Sequence, residues 1–159
     1  MQPRIETLNE KILIGMCISM SLLENQTRQL WATFGPYMKS IKHRVNEDKI
    51  SLQVYPSNYF KEFNPSVKFE KWALVEVNDF NTIPVGLKPF TLEKGLYAVF
   101  QYKGSSADPT IFQYIYSQWI PSSEYELDNR PHFETLGEKY QNNHPDSEEE
   151  TWIPIKAKG

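Results

Sequence analysis

A carboxylate inside a strand pattern is the residue of this chain best placed to do chemistry. The segment His132-Phe133-Glu134-Thr135-Leu136-Gly137-Glu138-Lys139-Tyr140 alternates as a strand. It follows Pro131 and precedes a last strand, Thr151-Trp152-Ile153-Pro154-Ile155. Alternation puts Glu134 on one face with Leu136 and Tyr140, either in solvent or in a cleft among apolar and aromatic side chains. A carboxylate in such a cleft is desolvated and needs a cation, a hydrogen-bond donor or a proton. Glu134 is therefore the leading candidate for a ligand-contacting residue.

Other chemistry is thin. His43, His132 and His144 are dispersed, and only His132 shares the face of Glu134. Cys17 lies within a strand without a partner base and reads as a small core residue. No metal-ligand spacing occurs, and Gly104-Ser105-Ser106 is too short to cradle phosphate. Neither a metal nor a cofactor is expected.

The elements that must position Glu134 follow from periodicity. Ile12, Ile14, Met16, Ile18 and Met20 alternate as a first strand. Leu30, Trp31, Phe34, Tyr37, Met38 and Ile41 recur at helical spacing, with Gly35-Pro36 predicting a kink or two short helices. Strands are expected at Ile50 to Tyr55 and Phe69 to Val77. After a joint over 81–93, containing Pro84, Gly86 and Pro89, a strand over Gly95 to Tyr102 follows. Asp108 as cap and Pro109 at the first position start a second helix, with Ile111, Phe112, Ile115, Tyr116 and Trp119 as its stripe and Pro121 as its stop. Strands around Glu134 and Trp152 complete the chain. Asp146 to Glu150 reads as a solvated hairpin tip.

The order strand, helix, strand, strand thus occurs twice. The fold class is α+β, one domain over 1–159 with halves of about 1–80 and 94–157. The two antiparallel sheets are expected to face each other across a pseudo-two-fold with a central ligand cleft. If the apolar strand faces receive the helices, Tyr55, Trp72, Glu134 and Trp152 share the face away from them. That is an aromatic box with a carboxylate, suited to organic cations. The plainer alternative is an exposed sheet face on which Glu134 pairs with a lysine such as Lys71.

Composition narrows the classes. Aromatic content is high at 14%, and tyrosines and tryptophans beyond the needs of core and surface packing often line ligand sites. Net charge is −3 without a basic stripe, which argues against nucleic-acid binding. A single cysteine excludes an internal disulfide and fits a cytoplasmic protein. The apolar run Ile12 to Leu23 is too short to span a bilayer, and Glu24-Asn25-Gln26 gives no signal-peptide cleavage site.

Four segments, in this order and spacing, resemble the GyrI-like small-molecule-binding family, which also supplies effector-binding domains to AraC-type and multidrug-sensing regulators. They are Gly95-Leu96-Tyr97-Ala98-Val99-Phe100 with Lys103-Gly104, Trp119-Ile120-Pro121-Ser122-Ser123, Arg130-Pro131-His132-Phe133-Glu134 and Trp152-Ile153-Pro154-Ile155. The resemblance implies a pseudo-symmetric pair of modules, with Glu134 at the floor of a pocket for cationic, lipophilic ligands. Tyr55, Trp72, Trp152 and Tyr140 are the expected pocket aromatics. Leu136 stands where many members have a tyrosine, so ligand choice is expected to differ. The first strand begins near the start of the chain, leaving no expected room for a helix-turn-helix domain. Some stand-alone relatives are hydrolases of strained, cyclopropane-bearing electrophiles; in that reading Glu134 is the general base. A separate regulator, or gyrase, remains as a candidate protein partner.

Overall fold

The computed structural model describes residues 2–159. A short strand β1 (Arg4–Leu8) precedes β2 (Lys11–Met20), helix α1 (Thr27–Phe34), β3 (Lys49–Val54) and β4 (Phe69–Glu76). Strand β5 (Lys88–Leu92) lies in the joint. Then come β6 (Gly95–Lys103), helix α2 (Thr110–Tyr114), β7 (Tyr125–Leu127), β8 (His132–Leu136) and β9 (Glu148–Ala157). The first helix is interrupted where the sequence predicts it. Pro36 opens a tight 3₁₀ turn after α1 over Gly35–Ser40. Asp108 Oδ1 accepts the Thr110 amide at 2.9 Å just ahead of α2, whose cap position is taken by Pro109 rather than, as expected, by Asp108. Beyond α2 the helix widens into a π turn over Ile115–Trp119 before ending at Ser123.

All strand pairings are antiparallel, and the sheet order is β1-β6-β9-β8-β3-β4-β2-β5, with β7 added to β9. The order is symmetric about the β3–β8 contact. Outward from it run β3-β4-β2 on one side and β8-β9-β6 on the other, each the second, third and first strand of its module. The edges are exchanged: β5 pairs with β2 of the first module, and β1 pairs with β6 of the second. The two sheets therefore do not face each other. They merge edge to edge into one, because the mid-strand backbones of β3 and β8 pair directly, Ser51 opposite Glu134. The sequence reading did not identify β1 or β5: each is a short edge strand with little alternation.

The helix-side face carries two separate cores. Leu30, Phe34 and Ile41 pack on Ile14, Ala73 and Val75 of the first module. Ile111, Ile115 and Trp119 pack on Ala98, Phe100, Ile153 and Ile155 of the second. The helices thus cover the outer strands and leave the central pair, β3 and β8, between them. On the opposite face Leu52, Trp72, Leu74, Val99, Phe133 and Trp152 form a third core, to which the edge strands add Leu8, Leu92 and Phe90.

Candidate functional site

Residues opposite one another across a ladder share a face, so the register fixes who meets Glu134. Glu134 lies opposite Ser51 and Thr151, Gln53 opposite His132 and Lys71, and Tyr102 opposite Glu149. All of these side chains are therefore on the helix side; Tyr102 belongs to the second helical core, and the others lie in the gap between the two. Gln53 Nε2 donates to Glu134 Oε1 at 3.1 Å. Gln53, Lys71, His132 and Thr151 are buried, whereas Glu134 and Glu149 are half-buried.

Burial dominates the electrostatics. Desolvation raises the Glu134 carboxyl above its ordinary range, against the opposing pull of Lys71 and of the Gln53 hydrogen bond. Glu149 is pushed up to about 7 by desolvation and then by the charge of Glu134, again opposed by Lys71. Desolvation lowers the Lys71 ammonium, although both carboxylates pull it the other way. His132 falls to about 3 through burial, with Arg130 adding to the effect, and is neutral at any physiological pH.

An aromatic cluster stands against this polar floor. Tyr55, one residue past β3, stacks on Tyr59 at 4.5 Å and meets His132 edge-on at 5.0 Å. Tyr116, in the π turn, is hydrogen-bonded through its hydroxyl to His132 Nδ1 at 3.0 Å. Phe60 wedges among them, with ring centroids 5.0 Å from Tyr55, 4.6 Å from Tyr116 and 5.2 Å from His132. Desolvation holds the Tyr55 and Tyr116 phenols well above their usual range, and the charge of Glu134 adds to it in both. Two tyrosines, a phenylalanine and a neutral imidazole beside two carboxylates make an environment that favours organic cations over anions.

The Arg130-Pro131 segment sets the register of β8. The Arg130 guanidinium donates to Leu96 O at 2.6 Å and Ile155 O at 3.2 Å, pairs with Asp128 at 2.6 Å and lies 4.8 Å from the Tyr97 ring centroid. Tyr97 donates in turn to Pro131 O at 2.8 Å. The approach requires Gly95: a Cβ there would lie 2.0 Å from Arg130 Nη1.

The GyrI-like small molecule binding domain matches residues 1–156. The chain belongs to that family. No curated protein matches it. Among solved structures, SAV2435 bound to tetraphenylphosphonium is 15% identical with a TM-score of 0.67, covering 98% of this chain and 94% of that one. EcmrR in its DNA complex is 13% identical with a TM-score of 0.74, and the match spans 99% of this chain but 58% of that one. A hydrolase encoded by lin2189 from Listeria innocua is 11% identical with a TM-score of 0.63, covering 98% and 92%. At these identities the likeness is one of fold.

Within this GyrI-like domain the expected box is only partly assembled. Tyr55 and Glu134 come together. Trp72 and Trp152 do not join them: Leu52 lies opposite both Trp72 and Phe133, and Phe133 lies opposite Trp152, so both tryptophans occupy the other face. The error lay in assuming that every apolar strand face meets a helix. In the central strands it is the polar face that turns toward the helices. Trp152 stacks on Phe133 and lines a concavity of about 530 Å³ on that far side, rimmed by Glu6, Glu76 and Glu150. Tyr140 lies beyond the end of β8 in a turn, its hydroxyl 3.3 Å from Asn142 Oδ1. It lines a concavity of about 580 Å³ with Leu136 and Glu149, adjoining the cluster but not touching Glu134. Neither concavity reaches Glu134 itself.

Glu148 to Glu150 form the start of β9 rather than a hairpin tip, which draws Glu149 into the site. Gln53, Lys71, Tyr116, Phe60 and Glu149 were not among the expected site residues. Alternation alone carried a signal for Gln53, which shares its strand face with Tyr55. Phe60 and Tyr116 left none, since one sits in a loop and the other at the rim of a helix stripe.

Proposed function

We propose that the gap between the two helical cores binds a hydrophobic organic cation, with Glu134 as floor carboxylate and Tyr55 and Tyr116 as walls. The observation that carries this reading is a desolvated carboxylate held by Gln53 beneath a cluster of aromatic rings. Above about pH 7, where Glu149 joins Glu134 in its ionised form, the two carboxylates outnumber Lys71 and give the cluster net negative charge that a bound cation offsets. The phosphonium bound to SAV2435, a protein of the same fold, is a ligand of this class. The role is sensing or sequestration of such a ligand. Entry requires Phe60 to move from its place among Tyr55, Tyr116 and His132.

The test is a fluorescence titration with a lipophilic cationic dye on the wild type and Glu134→Gln. Saturable binding that the substitution weakens by about 1–3 kcal/mol supports the reading. Equal affinities in the two proteins would discard Glu134 as the cation's counter-charge.

A second reading, hydrolysis of a strained electrophile of the cyclopropanoid type, is favoured by the raised basicity of Glu134 and by the hydrolase of like fold. There Glu134 takes a proton from water as it attacks, and Glu134→Gln abolishes turnover while leaving substrate affinity nearly intact.

A further inference from the structure

Lys71 is the residue of the cluster that cation binding does not explain. It sits on the helix-side face, opposite Gln53 on one neighbouring strand and Ile18 on the other. It is only 7% exposed, yet among the described residues it has neither an ion pair within 4.0 Å nor a hydrogen bond. Nor is its nitrogen one of the polar atoms fully sealed from solvent. Gln53, its nearest polar neighbour in the register, already donates to Glu134. The ammonium's three donors reach water through the gap, so a ligand that fills the gap strips them of that water, and leaving them unmet there is costly. For a plain lipophilic cation Lys71 is worse than neutral, because it places like charge beside the ligand and weakens the pull of Glu134. In the free protein Lys71 offsets the charge of Glu134 and Glu149; toward a ligand it is useful when that ligand brings an acceptor.

We infer that Lys71 selects, among hydrophobic cations, those that also carry an acceptor oxygen such as an ester, ketone or carboxylate. The ligand class is thus bifunctional, with a cationic or basic centre toward Glu134 and Glu149, a carbonyl-type oxygen toward Lys71, and an aromatic or aliphatic body between the rings. This rests on the proposed cation site and narrows its ligands.

A matched pair of probes separates the two ideas: a triphenylphosphonium bearing a butanoate ethyl ester, and the same phosphonium bearing a plain hexyl chain. Both are titrated calorimetrically into the wild type, Lys71→Met, Lys71→Gln and Glu134→Gln, each checked for a native thermal melt. In Lys71→Met the ester probe should weaken about tenfold, as expected for a lost charge-assisted hydrogen bond, while the hexyl probe holds or tightens. Lys71→Gln, which keeps a donor without the charge, should retain part of the ester preference. A parallel change of both probes in Lys71→Met overturns the selection by Lys71 but leaves the cation site standing. If neither probe binds the wild type, or both ignore Glu134→Gln, the cation site falls and the inference with it.

Discussion

Gln53 Nε2 and Glu134 Oε1, 3.1 Å apart, join the two modules across the β3–β8 pairing. The bond satisfies one oxygen of a desolvated carboxylate and opposes the rise in its pKa. Gln53→Leu leaves that oxygen unmet and should cost about 1–3 kcal/mol of stability at pH 7. Glu134 already ionises above its ordinary value in the fold, and the substitution lifts it further. The cost is therefore present where the group is charged and shrinks as pH falls and it takes a proton. Urea unfolding at pH 7 and pH 4.5 checks this; equal losses at both would assign the effect to packing alone.

Glu149 gives a second pH dependence. Its folded value of about 7 lies above the ordinary 4.5, so the folded protein holds a proton that the unfolded chain has released. Stability attributable to this residue therefore falls as pH rises from about 4.5 through 7, then levels. Because the side chain is only half-buried, the effect should be about 1–2 kcal/mol after allowance for solvent screening. Affinity for a lipophilic cation should climb around pH 7, where Glu149 in the folded protein gains its charge. Glu149→Gln should flatten both curves, read by thermal melts and dye titrations at closely spaced pH values.

The strand–helix–strand–strand order, repeated, was legible because outer strands such as β2 and helices such as α1 carry strong periodicity onto one buried face. Glu134 was legible too, as a carboxylate among apolar alternation. The partners of Glu134 were not. Which face of β3 meets which face of β4 depends on a register that no local pattern specifies, and the tryptophans were assigned by assuming that helices cover the whole sheet. They cover its outer strands only. The central strands consequently reverse the rule, turning Ser51, Gln53, His132 and Glu134 toward the helix side and Leu52 and Phe133 away. Lys71 was considered only as an ordinary surface partner, since a single polar residue on an otherwise apolar strand face gives no hint that it is buried.

Gly95 and Arg130 make a testable brace for the site. A methyl at residue 95 would overlap Arg130 Nη1, on the guanidinium whose Nη2 donates to Leu96 O and Ile155 O. Gly95→Ala should therefore displace the guanidinium from the Tyr97 ring and destabilise the fold by about 2–3 kcal/mol. Arg130→Met should show a loss of similar size by stranding the same carbonyls and Asp128. Because both act on one brace, the double variant should lose much less than the sum, which denaturant unfolding of all three proteins would reveal.

Phe60 fills the space a ligand would need, and this predicts a kinetic signature. Its ring stacks on Tyr116 and His132 and abuts Tyr55, so a cation can reach the aromatic walls only after it swings out. Truncation removes a half-buried ring, which should cost about 1–2 kcal/mol of stability. At the same time Phe60→Ala should raise the association rate of a lipophilic cationic dye about tenfold, because opening no longer precedes binding. The dissociation rate should change less. Stopped-flow fluorescence separates the two. An unchanged association rate with faster dissociation would make Phe60 a wall of the bound site rather than its plug.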